Sequence, residues 1–473
     1  MCLYKQIITC LFLSTFIVYV QSILNVLIDI ASTPAILVAL IAVIGVLLQK
    51  KGIADIVRGG IKTFVGFLVV TAGANFVVSS LEPFGVMFQK AFHVTGVVPN
   101  NEAIVAVALE KFGTYTALIM LAGMMFNILF ARITRYKYIY LTGHATLYMA
   151  CMIAVILSVT GLDGILLVLF GGISLGLANT IFPAILQPFT VQITKNDSVA
   201  LAHTGNFGYA LSAIIGKLFG NKENSTEDIN FPKGLSFLRD STVSITITMG
   251  VVYLIVALFA GNGYVTKELS SGTNFIVYAL KQAGSFAAGV FIILAGVHLI
   301  LAEIVPAFKG ISEKLVPNAK PALDCPIVFP YAPNAVLIGF FSSFLGGILS
   351  LVIMAVSGLP IIIPGVVPHF FCGATSGVYG NATGGVRGAV LGSFIQGILI
   401  SFMPIFLMPV MGDLGFSGST FSDTDYGVVG LFLGNLANGG GKLFVMIGIV
   451  VILGIVLATS KITSLRLNKE MTK

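Results

Sequence analysis

An all-α polytopic membrane protein with about 11 transmembrane helices, two inverted repeats and re-entrant segments is the fold class this chain predicts. Three observations carry that reading. First, 57% of the 473 residues are hydrophobic, only 10% are charged, and mean hydropathy is +1.01. Soluble domains carry roughly a quarter charged residues, so a soluble globular fold is excluded. Second, apolar runs of the ~20 residues needed to cross a bilayer recur along the whole length. The alternating segments of about ten residues that mark a barrel are absent. Third, GFLVVTAGANFVVSSLEPF (66–84) returns as GVFIILAGVHLILAEIVPAF (289–308). Gly66, Ala72, Gly73 and Pro83 fall on Gly289, Ala295, Gly296 and Pro306, an offset of 223 residues. Such a repeat in an apolar chain is the mark of a transporter built from two related halves.

The elements follow in order. Residues 1–24, where Lys5 precedes an apolar run to Val20, read as an N-terminal extension of signal, anchor or amphipathic type outside the repeat. The first span, about 32–48, ends at Lys50 and Lys51, with Arg58 and Lys62 beyond, so that end is cytoplasmic. A span at 63–81 goes outward. Residues 84–112, with Pro83, Pro99 and the cluster Asn100-Asn101-Glu102, read as an outer or re-entrant segment. The span at 114–131 returns to Arg132, Arg135 and Lys137. Spans at about 141–159 and 164–182 form a hairpin with Asp163 outside. A polar, Gly-rich inner segment follows, whose apolar piece 207–219 is short enough to be re-entrant.

A span at 241–260 goes out, and the repeat copy at 276–306 runs in, ending at Lys309, Lys314 and Lys320. The two copies therefore cross in opposite directions, which makes the repeat an inverted one. Spans at 335–356, 360–379, 388–411 and 442–460 leave Arg387 and the C-terminal lysines inside. The repeats cover about 32–189 and 262–411, with 190–240 connecting them. Two further pairings keep nearly the same offset: Leu141-Thr142-Gly143-His144 with Val366-Val367-Pro368-His369, and Pro183 and Pro188 with Pro404 and Pro409.

The net charge of +7 sits in short loops between spans, a membrane-topology signal rather than a nucleic-acid one. Five scattered cysteines show neither a disulfide framework nor metal spacing. No Walker, HExxH, nucleophile-elbow or CxxC sequence occurs, which removes support for ATP-driven transport and common membrane hydrolysis.

Polar groups retained at membrane depth usually serve a site, because hydrocarbon penalises them. His144 opens an otherwise apolar helix beside Gly143. The plain alternative is a histidine bonded to a neighbouring carbonyl. His203 lies in the polar segment 200–209, which exists at depth only where it lines a cavity. Asp324 stands among prolines that free backbone groups for ligand. Its plain alternative is a loop acid paired with Lys320. Glu303 suits an ion pair as well as a site. Asn75 and His298 share a repeat position and suggest helix–helix hydrogen bonding. His369 suits close packing, and His93 an outer loop.

At these residues the chain resembles the ascorbate-type enzyme IIC of the bacterial sugar phosphotransferase system. The matching stretches include GGIKTFVGFLVVTAG (59–73), LEPFGVMFQKAFHVTGVVPNNEAI (81–104), ARITRYKYIYLTGH (131–144), STEDINFPKGLSFLRDSTVS (225–244), ALDCPIVFPYAPNAV (322–336) and IIIPGVVPHFF (361–371). They run from about residue 25 to the end. The resemblance implies a homodimeric permease of 25–473 in the bacterial inner membrane, C-terminus cytoplasmic, with a substrate-carrying core that slides against an interface domain. It implies uptake of L-ascorbate and phosphorylation by a separate IIB protein, itself charged through IIA. No cofactor, metal or catalytic residue of the chain's own is implied. Substrate-binding positions carry over as His144, His203 and Asp324, with Asn101 and Glu102 beside them. Tyr148 and Thr204 stand where the family's best-characterised form has glutamine, a departure that widens the expected substrate from ascorbate to a related sugar acid. An inverted repeat alone also allows an ion-coupled secondary transporter of a small anionic or polyhydroxy solute.

Overall fold

A computed structural model of the chain describes residues 34–93, 96–229, 234, 237–238, 240–416 and 418–471. The expected extension 1–24 and the side chain of Glu303 lie outside the described residues. Helices dominate: α1 (Pro34–Leu48), α2 (Ile53–Phe92), α3 (Asn101–Ile133), α4 (Gly143–Val159), α5 (Gly164–Thr194), α6 (Asn206–Phe219), α7 (Ser241–Ala260), α8 (Phe275–Leu315), α9 (Pro333–Ser357), α10 (Val366–Leu407) and α11 (Thr424–Met471). Among the described residues seven helices are long and apolar enough to cross a membrane, or eight if the pair bent by 99° after α7 counts as one. The chain is an all-α polytopic membrane protein.

Several boundaries differ from the sequence reading. Residues 84–92 continue α2 through Pro83 rather than forming an outer segment. The expected spans 360–379 and 388–411 correspond to the two limbs of α10, which meet at Gly385, whose φ of 59° interrupts the ladder. The expected last span, 442–460, begins just past the break of α11 at Gly440 and Gly441, and the limb before that break is an element the sequence reading does not include. The breaks fall in GNATGGVR (380–387) and NGGGK (438–442), glycine-rich polar stretches between apolar runs.

The repeated segments lie in α2 and α8, which pack directly on one another. A Cβ on Gly66 would come within 2.7 Å of the Gly296 carbonyl oxygen, and one on Gly73 within 3.0 Å of the Gly289 carbonyl oxygen. Contacts 66 with 296 and 73 with 289 mean that the two helices run antiparallel. Small residues permit this backbone approach, a common basis of helix association in lipid. The crossing does not match Asn75 with His298. His298 instead reaches the wall of a central cavity.

Six short strands, which carry too few residues for a periodic signal, join the helices. Strands β1 (Gly96–Pro99), β5 (Ile361–Ile362) and β6 (Ser419–Thr420) form one parallel sheet in the order β5-β1-β6. Strands β2 (Tyr138–Tyr140), β3 (Ala200–Leu201) and β4 (Lys320–Leu323) form another in the order β2-β4-β3. Each sheet pairs a central strand from one half of the sequence with two flanking strands from the other half. The pairing satisfies extended backbone that hydrocarbon would otherwise leave unbonded.

At the starting edge of the second sheet, the Lys320 ammonium donates to Asp197, which also accepts from Gln187 Nε2 at 2.7 Å. The Lys320 hydrogen bond, followed by that of Gln187, holds the Asp197 carboxyl below the usual carboxylate range. Its stabilising contribution is therefore complete above the unfolded-state value and is lost as pH falls through the folded one. Because Asp197 is half exposed, the contribution is under about 1 kcal/mol. The melting-temperature difference between wild type and Asp197→Asn should be present at neutral pH and shrink on acidification; a constant difference would show that the clasp contributes nothing.

Candidate functional site

Each parallel sheet ends where polar residues begin. β2 is followed after three residues by His144 at the start of α4, β3 after one residue by His203, and β4 directly by Asp324. In the other sheet β1 leads to Asn101 and Glu102, β5 to Val367 and Pro368, and β6 to Asp423. The six strand ends surround a cavity of about 240 Å³. At ~30 Å³ of liquid volume per water, that is room for about eight waters or one small sugar-sized molecule. Two other cavities, of about 420 and 320 Å³, have few polar side chains or none that titrate at their walls beyond Glu82. The smaller cavity holds the convergent polar groups, and so is the candidate site.

All seven residues expected from the sequence line this one cavity: Asn101, Glu102, His144, Tyr148, His203, Thr204 and Asp324. His144 Nε2 lies 3.6 Å from Asp324 Oδ2. The Lys320 partner considered for Asp324 is occupied by Asp197, which frees Asp324 to face the cavity. Its other oxygen, Oδ1, accepts the Cys325 amide at 2.7 Å and fixes the carboxylate. The rings of His144 and His203 are 6.5 Å apart, edge to face. His203 is 6% exposed, and its Nδ1 is 2.6 Å from the Tyr209 hydroxyl. Gly205 allows this bond, since a Cβ there would lie 2.4 Å from that hydroxyl oxygen. Tyr209 in turn stacks on Tyr379, whose hydroxyl is 2.8 Å from Thr190 Oγ1. The His203 ring is thus held from behind by a packed aromatic column.

Three polar wall residues were not among the expected site residues. Asp423 accepts from Asn101 Nδ2 at 2.7 Å and from Thr204 Oγ1 at 2.5 Å, tying the ends of β1 and β3 to that of β6. His298 and Tyr426 complete the lining. A usable signal existed for Asp423: it stands 219 residues after Thr204, close to the repeat offset, within a Ser-Asp-Thr-Asp helix-start sequence. Behind it, Asp425 accepts the amides of Asn206 and Phe207 at 3.0 and 2.8 Å and caps α6. Helices α4 and α10 start at the cavity with no side-chain cap bond from Thr142 or Gly365. Their first amides present partial positive charge there.

Three buried polar atoms on the wall have no hydrogen-bond partner: Glu102 Oε2, Tyr148 Oη and Tyr426 Oη. Groups left this way in an apolar setting cost free energy that a hydroxyl-bearing ligand would recover. Among the described residues no lysine or arginine lines the cavity. Donor atoms of His144, His203 and Asp324 lie within 4.8 Å of one another, as do those of His203, Cys372 and Asp423. His369 is not at the wall; it is buried, with Nδ1 2.8 Å from Ser343 Oγ.

The family model for the sugar-specific permease component of the phosphotransferase system matches residues 29–425. The chain belongs to that family. The permease is similar to the ascorbate-specific EIIC component of Mycoplasma pneumoniae, with 29% identity over 376 residues. That match covers 69% of this chain and 56% of the relative, so the permease spans little more than half the relative's length. Of the family stretch STEDINFP, the part among the described residues, STEDI (225–229), packs at the start of α9. Glu227 accepts the amides of Asn334 and Ala335 at 3.0 and 3.1 Å, capping the start of α9.

Proposed function

We propose that the chain is the membrane-embedded permease subunit of a phosphotransferase system, binding L-ascorbate or a related sugar acid and translocating it for phosphorylation by a separate IIB protein. The observation that carries this reading is the convergence of His144, His203, Asp324, Asn101, Glu102, Tyr148 and Thr204 on one sugar-sized cavity. The relative's printed ascorbate specificity supports the choice of substrate. The histidines donate to ring oxygens, and Asp324 accepts from substrate hydroxyls. Glu102, Tyr148 and Tyr426 take further hydroxyls, satisfying their unpartnered atoms. Ascorbate is a monoanion at neutral pH, and the uncapped starts of α4 and α10 offer it amide donors. Asp324 tolerates that charge only through intervening hydroxyl hydrogens.

The wider architecture follows the same reading. Antiparallel packing of the repeated helices and exchange of strands between halves support an inverted repeat of 32–189 and 262–411. About eleven membrane helices result if the short α4 and the separate limbs of the broken helices are counted. A homodimer in the bacterial inner membrane, with 190–240 and the C-terminus cytoplasmic, completes the proposal, together with IIA and IIB as partners. In this reading phosphoryl chemistry belongs to IIB, since none of the five cysteines has the basic sequence surroundings expected of a phosphoryl carrier.

Inverted membrane vesicles test the reading. With labelled ascorbate and phosphorylated IIB present on the cytoplasmic face, labelled phosphorylated product should accumulate on that face. Transport of unmodified sugar, driven by a proton or sodium gradient without IIB, would replace the proposal with an ion-coupled transporter.

A further inference from the structure

Residues 144, 203 and 324 are separated by 59 and 121 positions, so no sequence spacing relates them as ligands. The β2-β4-β3 sheet brings them together because its strands are parallel and end at one level. Each supplies a donor atom, and the three atoms lie within 4.8 Å of one another. A tetrahedral zinc-type ion with bonds of ~2.0–2.1 Å separates its ligands by about 3.3 Å. The His144 Nε2 to Asp324 Oδ2 distance of 3.6 Å is already close to that edge. The remaining gap to the His203 ring, no more than 4.8 Å, closes by movement of the partly exposed His144 and Asp324 side chains.

Two more observations separate this trio from a chance cluster. Each of two ligands is oriented by a partner on its far side. Tyr209 engages His203 Nδ1 at 2.6 Å, leaving Nε2 free. The Cys325 amide engages Asp324 Oδ1 at 2.7 Å, leaving Oδ2 directed to His144. This is the arrangement that fixes ring and carboxylate orientation in metal sites. Moreover, among the described residues the wall adds the carboxyls of Glu102 and Asp423 and no lysine or arginine, a charge balance that favours a cation.

We infer that His144, His203 and Asp324 form a site for one divalent transition ion of the zinc class, with three protein ligands and a fourth position open to the cavity. Two imidazoles with one carboxylate suit zinc, cobalt or nickel; magnesium and calcium require oxygen ligands. The ion occupies the donor atoms assigned above to the sugar, so it inhibits transport competitively. That competition rests on the substrate reading, whereas metal binding does not.

The full-length protein in lipid nanodiscs provides the test, with cobalt as a spectroscopic stand-in for zinc. Cobalt should bind with one-to-one stoichiometry and give intense ligand-field absorption of the four-coordinate type, and zinc should displace it. His144→Ala, His203→Ala and Asp324→Asn should each weaken binding at least tenfold, while His93→Ala leaves it unchanged. X-ray absorption at the zinc edge of the wild type gives a readout that needs no variant. It should show a first shell of nitrogen and oxygen with outer-shell scattering from two imidazoles. Absence of saturable binding, an absorption shell without imidazole, or affinity unchanged in His203→Ala would each overturn the inference. If metal binds as expected but ascorbate does not compete with it, the metal site stands and the substrate reading fails.

Discussion

His203→Ala should lower sugar affinity by about 10- to 100-fold in a protein that still folds. The ring is 6% exposed and sits between the cavity and the Tyr209 hydroxyl. Its removal deletes the donor proposed for the substrate and leaves the Tyr209 hydroxyl without that partner. A hydrogen bond to a charged group contributes about 1.5–3 kcal/mol, and every 1.4 kcal/mol is a factor of ten. Asp324→Asn should fall in the same range. The asparagine oxygen can still accept the Cys325 amide, so the local turn survives, but the negative charge facing His144 is lost. Tyr426→Phe should have a smaller effect, about fivefold, because it removes one neutral hydroxyl worth ~1 kcal/mol. Calorimetric titration of ascorbate into nanodisc-embedded variants checks the order, with size-exclusion profiles to report folding. Wild-type affinity in His203→Ala would remove this cavity as the binding site.

Much of that site was legible because polar side chains at membrane depth are few. His144, His203 and Asp324 stand out against apolar neighbours whatever the fold. Their convergence was not legible. It depends on strands of two to four residues, too short to show alternation, and on parallel pairing between distant segments. Asp423 escaped notice for a different reason. It sits in a polar Ser-Gly-rich stretch, where an acid looks like an ordinary loop or helix-start residue. Only its bonds to Asn101 and Thr204 reveal a clasp between strand ends. Among the helices, apolar length gave the membrane class and the long elements. The breaks at Gly385 and Gly441 fall at the expected span limits 379/388 and 442, because glycine-rich polar stretches interrupt the apolar pattern there, although the φ values themselves are not legible in hydropathy. The repeat behaved differently again. Its glycines were visible as matched positions, but their role as the contact between the two copies required the structure.

That contact carries the second large effect. Gly73→Val should destabilise the fold by about 1–3 kcal/mol or more, and Gly296→Val should do likewise. A Cβ on Gly73 would lie 2.7 Å from the Ile293 backbone nitrogen, and one on Gly296 would lie 2.7 Å from both the Gly66 carbonyl oxygen and the Val70 nitrogen. These neighbours are main-chain atoms of a helix, so no side chain can rotate aside. The helices must separate, and dispersion contacts along the crossing are lost with distance. Gly85, on the same helix, has open space where its Cβ would be. Gly85→Ala is thus the matched control and should be neutral or slightly stabilising, since alanine favours a helix interior over glycine by ~1 kcal/mol. Thermal unfolding in detergent, followed by loss of monodispersity, separates the two cases. A further expectation follows from the reciprocal contacts: Gly66 meets Gly296 while Gly73 meets Gly289, so the double variant Gly73→Val with Gly296→Val widens one crossing at two points. Once the helices have been forced apart by the first valine, the second finds part of its room already made. The combined loss should therefore be less than the sum of the single losses, as for residues coupled through a shared backbone shift. Strict additivity would mean that each glycine relieves a separate local clash and that the two helices do not move as a unit.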